Sequence, residues 1–138
     1  MCRPKTKTKG QAQREYELRN PGRTKVRNAK FRTTVHGISC YLYWNAHRRA
    51  KVNGLIFSLT KNWIKAIVAQ GVCQVTGLSF SLENGRKPWA PSLDRIDPTK
   101  GYTADNVQVV VWLYNTAKME FRHEDVMILA NALTNGRS

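Results

Sequence analysis

The stretch from Ser92 to Lys118 constrains the fold most, because its pattern predicts a strand, a loop, a strand and a helix in that order. The segment SLDRI alternates apolar and polar side chains, as a half-buried strand does, and Pro98 ends it. The turn-rich segment PTKGYTADN has a length that joins two antiparallel strands. NVQVV then predicts a second strand or the entry to a helix, and VWLYNTAKMEF has helical character.

The flanking sequence predicts helices on both sides of this unit, which makes the expected fold class α+β. Gly54 and Gly71 are plausible helix ends, and Thr60 is a plausible N-cap. Residues 72–82 predict extended chain with a turn at Thr76-Gly77. The predicted helices are 39–52, 61–70 and 123–133, the last with acidic residues in its first turn.

Charge divides the chain near residue 36. The 138 residues contain 23 Lys+Arg and 9 Asp+Glu, for a net charge of +14. Residues 1–35 hold 11 of the basic and 2 of the acidic residues, with few periodic apolar positions. We therefore expect a basic, partly disordered arm over 1–35 and one folded domain over 36–138. The arm would bind phosphates through counterion release, or it is a solubilising tail.

A polyanion is the partner that this charge favours, and nucleic acid is the simplest one. An anionic membrane surface is the weaker interpretation, because no long basic amphipathic helix stands out. No apolar run approaches the ~18–20 residues of a membrane span, and the N-terminus lacks the apolar region of a signal peptide. Cys2, Cys40 and Cys73 form no CxxC pair, which argues against a disulfide framework and fits a cytoplasmic protein.

Four short motifs follow one another within residues 94–118. They are Asp94-Arg95-Ile96-Asp97-Pro98, Lys100-Gly101-Tyr102, Asn106-Val107, and Asn115 with Lys118. In this order and spacing they resemble the core of the HNH (His-Me finger, ββα-metal) nucleases, and most of all its small bacteriophage members. The resemblance covers roughly residues 36–138. It implies an HNH-like nuclease domain that hydrolyses phosphodiester bonds, in the cytoplasm of a bacterial host if the gene is phage-borne. It favours DNA over RNA as the partner, and an RNA-directed protein stays an alternative because charge alone does not separate the two.

The resemblance also implies a metal site. Asp94 and Asn115 occupy the positions that bind the ion, which would be Mg²⁺ or another divalent ion such as Mn²⁺. Asn106 would hold the loop and orient the general base. The alternatives are a strand-end cap for Asp94, a helix-surface amide for Asn115 and a turn or helix cap for Asn106.

Arg95 departs from the family pattern, because the family places its general-base His there. A guanidinium group does not take a proton from water at working pH, although it binds phosphate well. Three alternatives remain open: a nuclease with another base, an enzyme that relies on metal-bound water, and an inactive HNH-derived protein that binds nucleic acid or inhibits a partner. If the strand continues beyond Arg95, Asp97 shares its face and could be the base or a second metal ligand. Otherwise Asp97 makes a turn contact before Pro98.

Several cations are candidates for nucleic-acid contacts, with solvated surface as the alternative for each. They are Arg48, Arg49, Lys51, Arg86, Lys87, Arg95, Lys100 and Lys118. Trp89 could stack on a base or plug the surface beside two prolines. Cys73 lacks the partner cysteines of zinc-binding relatives, so we expect a small buried residue and no structural zinc. His123 could approach the site from outside the motif, and the sequence gives no sign of an oligomeric state.

Overall fold

The computed structural model describes residues 6–83, 85 and 87–136. Two short strands and six helices make up the described part of the chain. In chain order they are α1 (Lys9–Arg19), α2 (Arg23–Phe31), α3 (Val35–Asn53), α4 (Lys61–Ala69), β1 (Pro91–Arg95), β2 (Val107–Val111), α5 (Trp112–Lys118) and α6 (His123–Thr134).

The two strands form an antiparallel hairpin that α5 closes. The register pairs Pro91 with Val111 at one end and Arg95 with Val107 at the other. Helix α5 begins at Trp112, directly after β2, and packs on both strands. The predicted order of strand, loop, strand and helix is therefore confirmed, and so is the α+β fold class.

The main core lies between one face of the hairpin and the helices α3 and α4. Successive side chains of a strand point to opposite faces, so Leu93 and Val109 face this core while Asp94 faces the other side. Ala46 of α3 and Ile64 of α4 are buried in the same cluster. The hairpin is thereby fixed on a helical base, and its polar face is turned towards α5.

Caps set the ends of the core helices. The Thr60 hydroxyl accepts a hydrogen bond from the Trp63 amide at 3.1 Å, as the sequence predicted for the start of α4. Helix α3 begins earlier than predicted, because the Thr34 side chain caps it by accepting from the Gly37 amide at 3.0 Å. It ends at Gly54, whose φ of 63° is the left-handed conformation that glycine adopts without strain.

Cys73 is a buried residue, as expected. Its sulfur accepts a hydrogen bond from the Val111 amide at 3.3 Å, and it packs in a second apolar cluster with Val110 and Tyr114. The turn before the hairpin is thus joined to the junction between β2 and α5.

The basic segment before residue 36 forms two helices where the sequence suggested little regular structure. The Thr8 side chain caps α1 and exchanges hydrogen bonds with Gln11, and Pro21-Gly22 separates α1 from α2. Neither helix contains a buried residue. The disorder of a free arm remains a prediction, and residues 1–5 lie outside the described part. Within that part, no helix is both long and apolar enough to cross a membrane.

Candidate active site

Asn106 closes the loop between the two strands. Its side-chain nitrogen donates to the carbonyls of Asp97 (3.1 Å) and Gly101 (2.9 Å), and its side-chain oxygen accepts from the Asp97 amide at 2.9 Å. The residue is 6% exposed, so these bonds are shielded from water. Asn106 therefore fixes both arms of the loop, which agrees with the loop-holding role that the resemblance implied.

Asp94 and Lys118 form a buried ion pair between β1 and α5. Lys118 Nζ donates to Asp94 Oδ1 at 3.1 Å and to the Arg95 carbonyl at 2.9 Å. Gln108, the cross-strand partner of Asp94, donates to its other carboxylate oxygen at 2.9 Å. Asp94 is 3% exposed and Lys118 1%. Both carboxylate oxygens thus have protein donors, and the orientation of the carboxylate is fixed.

Asn115 lies three residues before Lys118, on the same face of α5. Its side-chain nitrogen donates to the Ser92 hydroxyl at 2.7 Å and to the Leu93 carbonyl at 2.9 Å. Within the described residues, the Asn115 side-chain oxygen has no hydrogen-bond partner. Two contacts, Ser92 with Asn115 and Asp94 with Lys118, therefore join β1 to α5. The two predicted metal ligands, Asp94 and Asn115, both lie along this contact between β1 and α5, called here the seam.

Arg95 is half-buried at the end of β1 and is bound to the loop. Its guanidinium donates to the Lys100 carbonyl at 3.0 Å and lies 5.1 Å from the centre of the Tyr102 ring. A guanidinium has five N–H donors, and the Lys100 carbonyl engages one nitrogen. The group is held in place with donors left for an anion.

Asp97 does not share a strand face with Arg95, because β1 ends at Arg95 and the chain bends immediately afterwards. The Asp97 carboxylate instead accepts from the Thr99 hydroxyl (2.6 Å) and the Thr99 amide (2.9 Å) in a turn around Pro98. These hydrogen bonds lower the pKa of Asp97, which makes it a weaker base. The turn contact that the sequence left as an alternative is what forms, so the expectation that Asp97 shares a strand face with Arg95 is wrong, whereas its role as general base or metal ligand stays a prediction.

A cleft of about 410 Å³ lies beside this seam, between α3 and the edge of β1. Its walls include Ser92 and Asn115 on one side and the α3 residues Asn45 and Arg49 on the other. Arg32, just after α2, also contributes. The cleft therefore combines two cations with the acidic residue Glu83 and with Asn115, whereas Asp94 is not among its lining residues.

The predicted nucleic-acid contacts occupy quite different positions. Arg48, Arg49 and Lys51 are exposed on α3, and of these Arg49 lines the cleft. Lys87 lies 3.8 Å from Glu83 and Lys100 lies 3.8 Å from Asp97, each in an exposed pair. Arg86 lies outside the described residues. The prediction that Lys118 contacts nucleic acid is wrong, because its ammonium is buried against Asp94 and does not reach a solvent-side phosphate.

Gln108 and Tyr114 belong to this site although the sequence analysis did not nominate them. Gln108 is a polar residue in an otherwise valine-rich strand, and that interruption is the signal that could have identified it. The Tyr114 hydroxyl hydrogen-bonds His123 Nδ1 at 3.0 Å. Burial, with the negative charge of Asp94 as the next cause, raises the pKa of Tyr114 to about 12, so the phenol stays neutral. His123 therefore ties α6 to α5 through Tyr114.

Comparison with known proteins gives one informative match. No protein-family model matches the chain, and no curated protein matches its sequence. The fold does match the solved structure of PacI, a rare-cutting HNH restriction endonuclease studied for its mechanism of DNA perturbation. The TM-score is 0.53 and the sequence identity 22%, over 70% of this chain and 77% of that one.

The fold is HNH-like. A likeness at this level of identity concerns the fold, and it confirms the HNH-like α+β architecture expected from the motifs. The hairpin, the loop that Asn106 closes and helix α5 are the local form of that architecture in this chain.

A divalent ion is the cofactor that the fold implies, and the donor set fits it in part. Asp94 and Asn115 supply oxygen atoms, the donors that Mg²⁺ prefers, and Asn115 lines the cleft. No group of three or more His, Cys, Asp or Glu is assembled in the described part of the chain, so an ion here would keep most of its waters. The ammonium of Lys118 beside Asp94 opposes a second cation and would weaken its binding.

Proposed function

We propose that this chain is a metal-dependent endonuclease that binds DNA and hydrolyses phosphodiester bonds. The observation that supports it best is the seam between β1 and α5, where Asp94 and Asn115 lie on facing elements of an HNH-like hairpin and helix. Residues 36–138 would be the nuclease domain and residues 1–35 a basic arm. The resemblance of SLDRID…KGY…N to phage proteins adds the proposal that it acts in the cytoplasm of a bacterial host.

Each residue of the site has a part in this proposal. A divalent ion held by Asp94 and Asn115 would neutralise charge on the scissile phosphate. Lys118 and Gln108 orient the Asp94 carboxylate, and Arg49 binds a neighbouring phosphate at the mouth of the cleft. Arg95 stabilises negative charge through its unused donors and does not move a proton.

Nicking of a supercoiled plasmid in the presence of Mg²⁺ or Mn²⁺ tests this function. We expect the wild-type protein to nick, and Asp94→Asn to lose at least roughly 100-fold in rate because the ion would lose its charged ligand. Asn62→Ala is a matched control, because Asn62 is exposed on α4, away from the seam. If the wild-type protein, folded and at high concentration, fails to cleave with every divalent ion tried, the proposal is wrong.

A second function, nucleic-acid binding or inhibition of a partner without cleavage, is favoured by two observations. Lys118 already neutralises Asp94, and Arg95 stands where the family has its base. The variant Arg95→His separates the two functions. Cleavage that appears only in this variant would assign the natural protein to the binding class, and cleavage that rises sharply would mean that its base is weakened. Weaker cleavage would support a nuclease that uses Arg95 itself.

A further inference from the structure

Helix α2 has a concentration of positive charge that the candidate site does not use. Its nine residues, RTKVRNAKF, include four Lys or Arg and no acidic residue. None of its residues is buried. Among the described residues, none of its basic side chains forms an ion pair with a carboxylate.

Three of these cations lie on one face. Arg23, Arg27 and Lys30 are spaced at i, i+4 and i+7, which places them along one side of a helix. The opposite side of α2, including Thr24 and Asn28, lines a shallow hollow that it shares with α1. The face formed by Arg23, Arg27 and Lys30, called here the α2 stripe, therefore points away from the protein.

The length of the α2 stripe matches a stretch of nucleic-acid backbone. Arg23 and Lys30 are separated by seven steps of ~1.5 Å, about 10 Å along the helix. Each of the three cations can neutralise one phosphate of a backbone that carries a charge every few ångströms, so the stripe matches about three phosphates. The exposed large apolar residues of α2 are Val26 and Phe31, and Phe31 packs against His36, which leaves too little apolar surface for a helix that inserts into a membrane.

The end of α2 is fixed to the folded domain. The Phe31 carbonyl approaches Gly37 so closely that a Cβ atom at that position would collide with it. The Phe31 ring also meets His36 edge-on, with 5.7 Å between ring centres. Arg32, the next residue, lines the cleft. The C-terminal end of α2 is therefore held against α3, so a polymer bound along α2 would be held close to the folded domain.

We propose that the α2 stripe binds about three phosphates of a DNA duplex, independently of base sequence, next to the folded domain. This goes beyond the proposed hydrolysis, because it requires binding and no cleavage. Its failure and the failure of the nuclease proposal are therefore distinguishable by measuring affinity in the absence of divalent ions.

The test measures dissociation constants for a labelled DNA duplex across a salt series, by fluorescence anisotropy. The variant replaces Arg23, Arg27 and Lys30 with Ala. The charge-matched control replaces Lys9, Arg14 and Lys25 with Ala, which removes the same charge from exposed positions outside the stripe. Alanine favours helix in both variants, and circular dichroism verifies that the helices persist.

We expect the stripe variant to lower the slope of log affinity against log salt by about 2.7, the value for three lost phosphate contacts. The control should change the slope by less than about one. The stripe variant should lose affinity by the same factor for two duplexes of unrelated sequence, because phosphate contacts do not read bases.

Three outcomes would overturn the inference. Equal slopes for the two variants would mean that net charge acts without a defined surface. An unchanged slope in the stripe variant would place the phosphates elsewhere. A loss of binding to phosphatidylserine vesicles or to an RNA duplex, with DNA affinity retained, would assign the stripe to a different partner.

Discussion

At the scale of single residues, the buried pair of Asp94 and Lys118 has the largest consequences. A buried ion pair adds little net stability when formed, but removal of one partner leaves an uncompensated buried charge. Here Lys118 also donates a hydrogen bond to the Arg95 carbonyl, so the pair fixes the end of β1 as well as the orientation of the Asp94 carboxylate. The same two side chains determine how firmly the site is organised and how readily a second cation is accepted.

Lys118→Met should destabilise the protein by about 3–5 kcal/mol, because Asp94 would remain buried without its partner. The double variant Lys118→Met/Asp94→Asn should recover part of that loss, since it removes the orphaned charge. Urea denaturation gives the free energies of unfolding. Lys100→Met is the control: its exposed pair with Asp97 should contribute no more than about 1 kcal/mol. Equal losses in the two single variants would contradict the burial of the pair.

Tyr114 predicts a specific alkaline transition. Its pKa rises from 10.0 to about 12 in the folded protein, chiefly through burial. A group whose folded pKa is raised contributes stability that is present below the unfolded pKa and disappears as pH rises through the folded one. The free energy of unfolding should therefore fall between about pH 10 and 12, and Tyr114→Phe should lose that part of the decline. Tyr41→Phe, on the exposed side of α3, should retain it.

At the scale of elements, sequence patterns predicted the parts whose backbone follows hydrophobic periodicity. Alternation in SLDRI placed a strand at 92–96, and the structure has Pro91–Arg95. Pro98 and the following turn residues predicted the loop correctly. Helices α1 and α2 were not predicted, because they have no buried stripe and their formation depends on caps and local propensity.

The errors within the candidate site have a common origin in tertiary contacts. A Lys near the end of a short helix is typical of a solvated cation, and only the packing of α5 against β1 makes Lys118 a buried partner. Asp97 would lie on the same strand face as Arg95 if the strand continued, but β1 ends at Arg95 and the chain turns. Motif spacing predicted that Asp94, Asn106 and Asn115 lie on one hairpin and its closing helix, whereas it could not assign their contacts.

Gly101 shows why the loop between the strands contains glycine. A Cβ atom at this position would meet the Ile56 backbone, including its nitrogen at 3.0 Å. The neighbouring Tyr102 amide donates to the Ile56 carbonyl at 2.8 Å, so the two segments cannot easily separate.

Gly101→Ala should therefore destabilise the protein by about 1–3 kcal/mol through overpacking, as measured by urea denaturation. It should also weaken any DNA cleavage, because the adjacent Lys100 carbonyl holds Arg95. Gly10→Ala is the matched control: nothing lies within 4 Å of its added Cβ, and alanine favours the helix there. A neutral effect at Gly101 would mean that the loop does not approach Ile56.

At the scale of the whole molecule, the basic residues behind the net charge of +14 lie on several distinct surfaces. The α2 stripe and the exposed cations of α3 face solvent, where they attract a polyanion. Arg49 and Arg32 line the cleft beside Asn115. The acids are few, yet Asp94 is buried next to this cleft, where the proposed function would place a divalent ion.

Single-turnover cleavage of an end-labelled DNA duplex, followed as Mg²⁺ is titrated, tests this account most directly. The wild-type protein should cleave with a saturable dependence on Mg²⁺, and Asn115→Ala should need a roughly 10–100-fold higher Mg²⁺ concentration or lose cleavage altogether. DNA affinity without the metal should be the same in both proteins. Identical Mg²⁺ dependence in the wild type and Asn115→Ala, or no cleavage by either, would contradict the assignment of this seam as the active site.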